Sequence, residues 1–139
     1  ERTNIEWVNE PARCIGIYEG AHHIKIRNAE VKHFSTGVAA IEVEEGANCE
    51  LSTLNVHHNQ GGGFFLNQSN NVVMQTQIHD NAGVGITVWN TANTLIYNNI
   101  IFDNAPFGAI AVTSYANGTM FINNTLRGSI NNYGCRNNY

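Results

Sequence analysis

The chain has 139 residues, a net charge of -4 and only 7 Lys plus Arg, so it carries no basic field able to neutralise a phosphate backbone, and nucleic acid is not expected as a partner. Its apolar residues come in short runs broken by Asn, Gly and Thr, far below the roughly 18 consecutive residues that cross a bilayer. No membrane insertion is expected. The length suits one domain over 1–139, and a start at Glu1 without an initiator Met leads us to expect a processed product or a piece of a longer chain. Cys14, Cys49 and Cys135 show no CxxC spacing and are odd in number, which leaves at least one thiol without an intrachain partner.

Cutting the chain after each Gly-rich or small-residue turn exposes five degenerate repeats. The first, 13–37, places apolar residues at Ile17, Ile26 and Val31; the second, 38–63, at Val43, Leu51 and Val56. The third, 64–85, has Leu66, Val73 and Ile78; the fourth, 86–108, has Val88, Ile96 and Ile101; the fifth, 109–129, has Val112, Phe121 and Leu126. Read down the repeats, these are three apolar columns with steps of 22 to 26 residues. Each apolar segment is short, rich in β-branched residues and ended by Asn, Gly or Asp, and no 3.6-residue period occurs. The prediction is an all-β, right-handed parallel β-helix of about five coils with three strands per coil. Stacked strands about 4.8 Å apart give a rod roughly 24 Å long.

Polar columns run between the apolar ones. Asn28, Thr53, Gln75, Asn98 and Asn123 are expected to form an internal amide ladder, with Asn48, Asn70, Asn93 and Asn59, Asn81, Asn104 as further structural columns at other corners. Asn suits such corners because it tolerates left-handed backbone. The Gly61-Gly62-Gly63 run is expected to serve a tight corner between coils.

Segments such as NVVMQTQIHDNAGVGITVWN and NTLIYNNIIFDNAPFGAIAV resemble the parallel β-helix repeats of the pectin-lyase-like superfamily, over nearly the whole chain. The resemblance implies an extracellular carbohydrate setting, secreted or at the cell surface. The activities it spans are polysaccharide lyases, glycoside hydrolases, epimerases, and non-catalytic tailspikes and surface proteins.

Alternation along the first-column strands puts two rows outside: Gly16, Glu42, Phe65, Thr87, Ala111 and Tyr18, Glu44, Asn67, Trp89, Thr113. Tyr18, Phe65 and Trp89 could stack on sugar rings while Asn67 and the acids read hydroxyls, so polysaccharide is the expected partner. Glu42 and Glu44, about 6.6 Å apart along a strand, are the candidate catalytic carboxylates. Some lyases of the superfamily hold calcium with one Asn and two Glu, and by that resemblance Glu42, Glu44 and Asn67 are the candidate calcium ligands, all hard oxygen donors. The chain departs from those enzymes in offering no Lys or Arg on this face; Lys25 and Arg27 lie on another strand, and no epimerase, polygalacturonase-type or pectate-lyase signature occurs. A second outward row, Lys32, His57, His79, Phe102 and Arg127, followed by His33, His58, Asp80 and Asp103, could bind a metal or move protons, and is expected rather to end strands by bonding to turn backbone. The pair His22 and His23 has the same expectation. A non-catalytic alternative has the solenoid self-associating end to end into an extracellular fibre, with Cys135 available for an intermolecular bridge.

Overall fold

The computed structural model describes residues 3–6, 15–35, 38–44, 48–67, 70–104, 108–113 and 116–132, and within them the chain winds into three parallel sheets with no helix. The sheet of the first column contains β2 (Ile15–Ile17), β5 (Ala39–Glu44), β8 (Gly62–Asn67), β11 (Ile86–Val88), β14 (Ile110–Val112) and β17 (Ile130–Asn132) in that order. That of the second holds β3 (Lys25–Arg27), β6 (Glu50–Ser52), β9 (Val72–Met74), β12 (Leu95–Tyr97) and β15 (Met120–Ile122). That of the third runs β1 (Thr3–Glu6), β4 (Ala29–Lys32), β7 (Asn55–His57), β10 (Gln77–His79), β13 (Ile100–Phe102) and β16 (Thr125–Leu126).

Every predicted column is a register row. Ile17, Val43, Leu66, Val88 and Val112 are successive Cα partners, as are Ile26, Leu51, Val73, Ile96 and Phe121 and Val31, Val56, Ile78, Ile101 and Leu126. Burial follows the columns, because in a parallel strand alternate side chains turn into the rod and the middle coils are covered from both ends. The winding also exceeds the five repeats: β1 pairs with β4 ahead of the first coil and β17 with β14 after the fifth. Cys14 and Cys135 lie outside the described residues, while Cys49 is buried in the core.

The corners correct one expectation. Asn28, Thr53, Gln75, Asn98 and Asn123 all have positive φ, between 51° and 58°, and their side chains point to solvent, so the column is not internal, although Asn123 Nδ2 donates to Asn98 Oδ1 at 2.7 Å on the surface. The left-handed residue turns the chain, and the residue after it faces in. At this corner the inward positions are therefore Leu54, Thr76, Asn99 and Asn124, where Asn99 Nδ2 donates to Asn124 Oδ1 at 3.0 Å and the Leu54 and Thr76 main-chain N–H groups donate to Thr76 Oγ1 and Asn99 Oδ1. Asn48, Asn70 and Asn93 likewise carry positive φ and exposed side chains, and Asn71 behind them accepts the Cys49 N–H at 2.9 Å.

The column Asn59, Asn81 and Asn104 is a buried ladder, as expected. Asn59 Nδ2 donates to Asn81 Oδ1 at 2.8 Å and Asn81 Nδ2 to Asn104 Oδ1 at 2.9 Å. The same amides reach the Val31, Val56 and Ile78 carbonyls, and their oxygens accept the N–H groups of Phe34, Asn59 and Asn81. Each rung thus bonds both to its neighbour and to corner backbone, which ties adjacent coils together inside the rod.

The glycine run has a different cause from a tight turn. Gly62 and Gly63 already belong to β8, and an added Cβ would stand 2.5 Å from the Val84 and Gly85 carbonyl oxygens respectively. The next coil approaches too closely for any side chain there.

Candidate functional site

The outer face of the first-column sheet places the predicted residues in two register rows. Gly16 pairs with Glu42, Glu42 with Phe65 and Phe65 with Thr87. Glu44 pairs with Asn67, and Tyr18 and Trp89 follow the paired residues Ile17 and Val88, so Tyr18, Glu44, Asn67 and Trp89 share the other row. Tyr18 is 52% exposed and Trp89 45%. The Tyr18 ring lies across Gly16: a Cβ there would come within 2.2 Å of Tyr18 Cε2, so the glycine is the seat of the ring.

The two carboxylates of this face part company. Glu42 is 7% exposed, and its Oε1 accepts the main-chain N–H groups of Val38 at 2.8 Å and Ala39 at 3.1 Å. The side chain bends back along β5 and caps the start of its own strand, whereas Glu44 is half-buried on the Tyr18 row. Sequence alternation puts both acids outside and cannot register that turn.

On the third-column sheet the predicted row stands as a stack. His57 and His79 lie 4.9 Å apart with planes 3° from parallel, His79 and Phe102 4.7 Å apart at 7°, and the Arg127 guanidinium sits 5.8 Å over Phe102 while pairing with Asp103. The rings face one another along the rod, so they turn edges to solvent and do not offer a platform for a sugar ring. His58, Asp80 and Asp103 end their strands at positive φ, as expected. Their side chains, however, bond to other side chains rather than to turn backbone. His57 Nδ1 faces His58 Nδ1 at 2.6 Å, His79 Nδ1 faces Asp80 Oδ2 at 2.7 Å, and the far nitrogens Nε2 of His57 and His79 face Glu30 Oε1 at 2.8 Å and Asn55 Oδ1 at 3.0 Å. A shallow depression of about 540 Å³ runs along this corner, lined by His33, His58, Gln60, Asp80 and Asp103 among others. A second, of about 440 Å³, lies on the second-column sheet between Lys25, Glu50, Met74 and Tyr97. Among the described residues, no group of three or more His, Cys, Asp or Glu side chains converges on one point.

Among the described residues, three carboxylates sit below their ordinary values, Glu30 and Glu50 half-buried and Asp80 exposed. Glu30 is lowered first by the hydrogen bond from His57 and then by Lys32, Glu50 first by Lys25 at 3.1 Å and then by Ser52, and Asp80 first by His79, with partial desolvation opposing in each case. A carboxylate whose folded pKa lies below its unfolded one adds stability that is complete above the unfolded value and is lost as pH falls through the folded one. The urea midpoint is therefore expected to decline on acidification below about pH 4.5, the ordinary Glu value. The Glu30→Gln, Glu50→Gln double variant should show a shallower decline, and an unchanged acid limb would rule these pairs out as its source.

A family model described as a right-handed β-helix region matches residues 13–138. Neither a curated protein nor a solved structure matches the chain. The matched span takes in every strand from β2 to β17, is consistent with the pectin-lyase-like resemblance, and makes this chain a member of the right-handed β-helix family.

Proposed function

We propose that this chain is an extracellular, carbohydrate-associated β-helix module that holds a polysaccharide along the outer face of its first-column sheet. The observation that carries the reading is the single register row Tyr18, Glu44, Asn67 and Trp89, with half-exposed aromatic rings at both ends. Strand spacing puts the two rings about 14 Å apart, with a carboxylate and an amide between them to bond hydroxyls. Binding without turnover is the simpler form of the reading, because paired-carboxylate hydrolysis needs two acids free to face the scissile bond and Glu42 is tied to the backbone of its own strand. Calcium enters as a bridge: Glu44 and Asn67 offer hard oxygens that a uronate-bound ion could share.

A panel of neutral and acidic polysaccharides, probed with and without calcium, tests this. Trp89→Ala and Tyr18→Ala are each expected to weaken the best ligand about tenfold, roughly 1.4 kcal/mol. Gly16→Ala should mimic Tyr18→Ala by unseating the ring. Glycan uptake that ignores all three substitutions would move the ligand off this face. No uptake at all, with filaments in the electron microscope, would replace the reading by the end-to-end fibre.

A further inference from the structure

The histidine corner of the third-column sheet is independent of the Tyr18–Trp89 row. His57 ends β7 on the outer face, and His58 follows at φ 54°, a left-handed turn that swings its ring back onto that same face. Two adjacent residues of an extended strand point to opposite sides; here both Nδ1 atoms meet, 2.6 Å apart. The far side of His57 is fixed by Glu30, whose carboxylate can only accept, so His57 Nε2 carries the proton and Nδ1 presents its lone pair to the meeting point. Stacking on His79 holds the plane of that ring. One coil on, Asp80 stands over His58 in the same corner column, joined through the bond from the His58 N–H to the Asp80 carbonyl.

A lone pair aimed at a second imidazole nitrogen, with a carboxylate bracing the far N–H, is the arrangement by which proteins orient histidine ligands to borderline divalent cations. We infer that His57 Nδ1 and His58 Nδ1 chelate a single borderline divalent cation of the nickel, copper or zinc type, with Glu30 as the positioning group. With metal–nitrogen bonds near 2.0–2.1 Å the two nitrogens need to open only to roughly 3 Å, a small rotation of an exposed ring. The corner depression beside His58 leaves room for water at the remaining positions. As the cation takes the place of the proton between the two Nδ1 atoms, that proton moves to His58 Nε2, and both rings bind as neutral imidazoles.

The chain contains its own control. His22 and His23 also face each other through Nδ1, at 2.8 Å, but among the described residues neither ring donates to a carboxylate. Titration of the full chain with Ni²⁺ alone, followed by calorimetry, is expected to give one site. His58→Ala should abolish it and Glu30→Gln should weaken it by about 10- to 100-fold, while His22→Ala leaves it unchanged. Far-ultraviolet circular dichroism of each variant checks that the solenoid persists. Absence of Ni²⁺ uptake, uptake that survives His58→Ala, or uptake lost with His22→Ala would each overturn the assignment.

Discussion

Asn81→Ala is expected to lower the unfolding free energy by about 3–5 kcal/mol, because each buried partner left unmatched costs about 1–3 kcal/mol. Asn81 is the middle rung of the buried ladder, and its amide serves four groups at once. Its oxygen accepts the N–H and the Nδ2 of Asn59, and its nitrogen donates to the Val56 carbonyl and to Asn104 Oδ1. Alanine removes all four contacts and leaves their partners buried. Against a total stability of about 5–15 kcal/mol for a domain of this size, one such loss threatens the fold. The comparison is Asn98→Ala, at an exposed left-handed corner, which should cost no more than about 1 kcal/mol through backbone preference. Urea denaturation of both variants gives the answer, and equal midpoints would mean that the buried amides contribute no more than the exposed ones.

Phe64→Ala should cost about 3–5 kcal/mol, the usual range for emptying a buried aromatic site. Phe64 is fully buried and sits between Ile41 and Ile86 in the register of β5, β8 and β11, so its neighbours belong to the coils on either side. In a solenoid each coil is stabilised mainly by the coils next to it, and a cavity in a middle coil weakens two interfaces at once. The expected result is a fall in Tm of about 10 °C or more. Phe121→Ala, at a half-buried position of the fifth coil, should cost less. A Phe64→Ala variant that melted with the parent would mean that the coils are not coupled through this column.

The columns were legible from the sequence because strand alternation and coil stacking leave only one choice of inward residue in each short segment. Ile17, Leu51 and Ile78 needed no more than spacing to place. Corners were harder. Asn98-Asn99 and Asn123-Asn124 repeat the same residue type, so composition cannot say which amide turns in. The answer lay in less regular corners: Leu54 after Thr53, Cys49 after Asn48 and Phe34 after His33 are apolar and buried, which marks the second corner position as the inward one. The candidate face was legible as rows and not as chemistry. Nothing in the alternation of Glu42 and Glu44 tells that the first folds back on Val38 and Ala39. Nor does the dipeptide His57-His58 disclose convergent rings, since only the positive φ of His58 brings them to one side.

The left-handed corner between the second and third columns has one more property. Five residues separate Ile26 from Val31, Leu51 from Val56, Val73 from Ile78, Ile96 from Ile101 and Phe121 from Leu126, whereas the other two spans of each coil differ in length from turn to turn. A single residue added at the constant corner would invert the faces of the strand that follows, so length cannot drift there. That edge is the spine of the molecule. Elaboration of the solenoid, whether a lengthened loop, a grafted recognition segment or a new wall beside the Tyr18–Trp89 row, is channelled to the two edges that flank the first-column sheet.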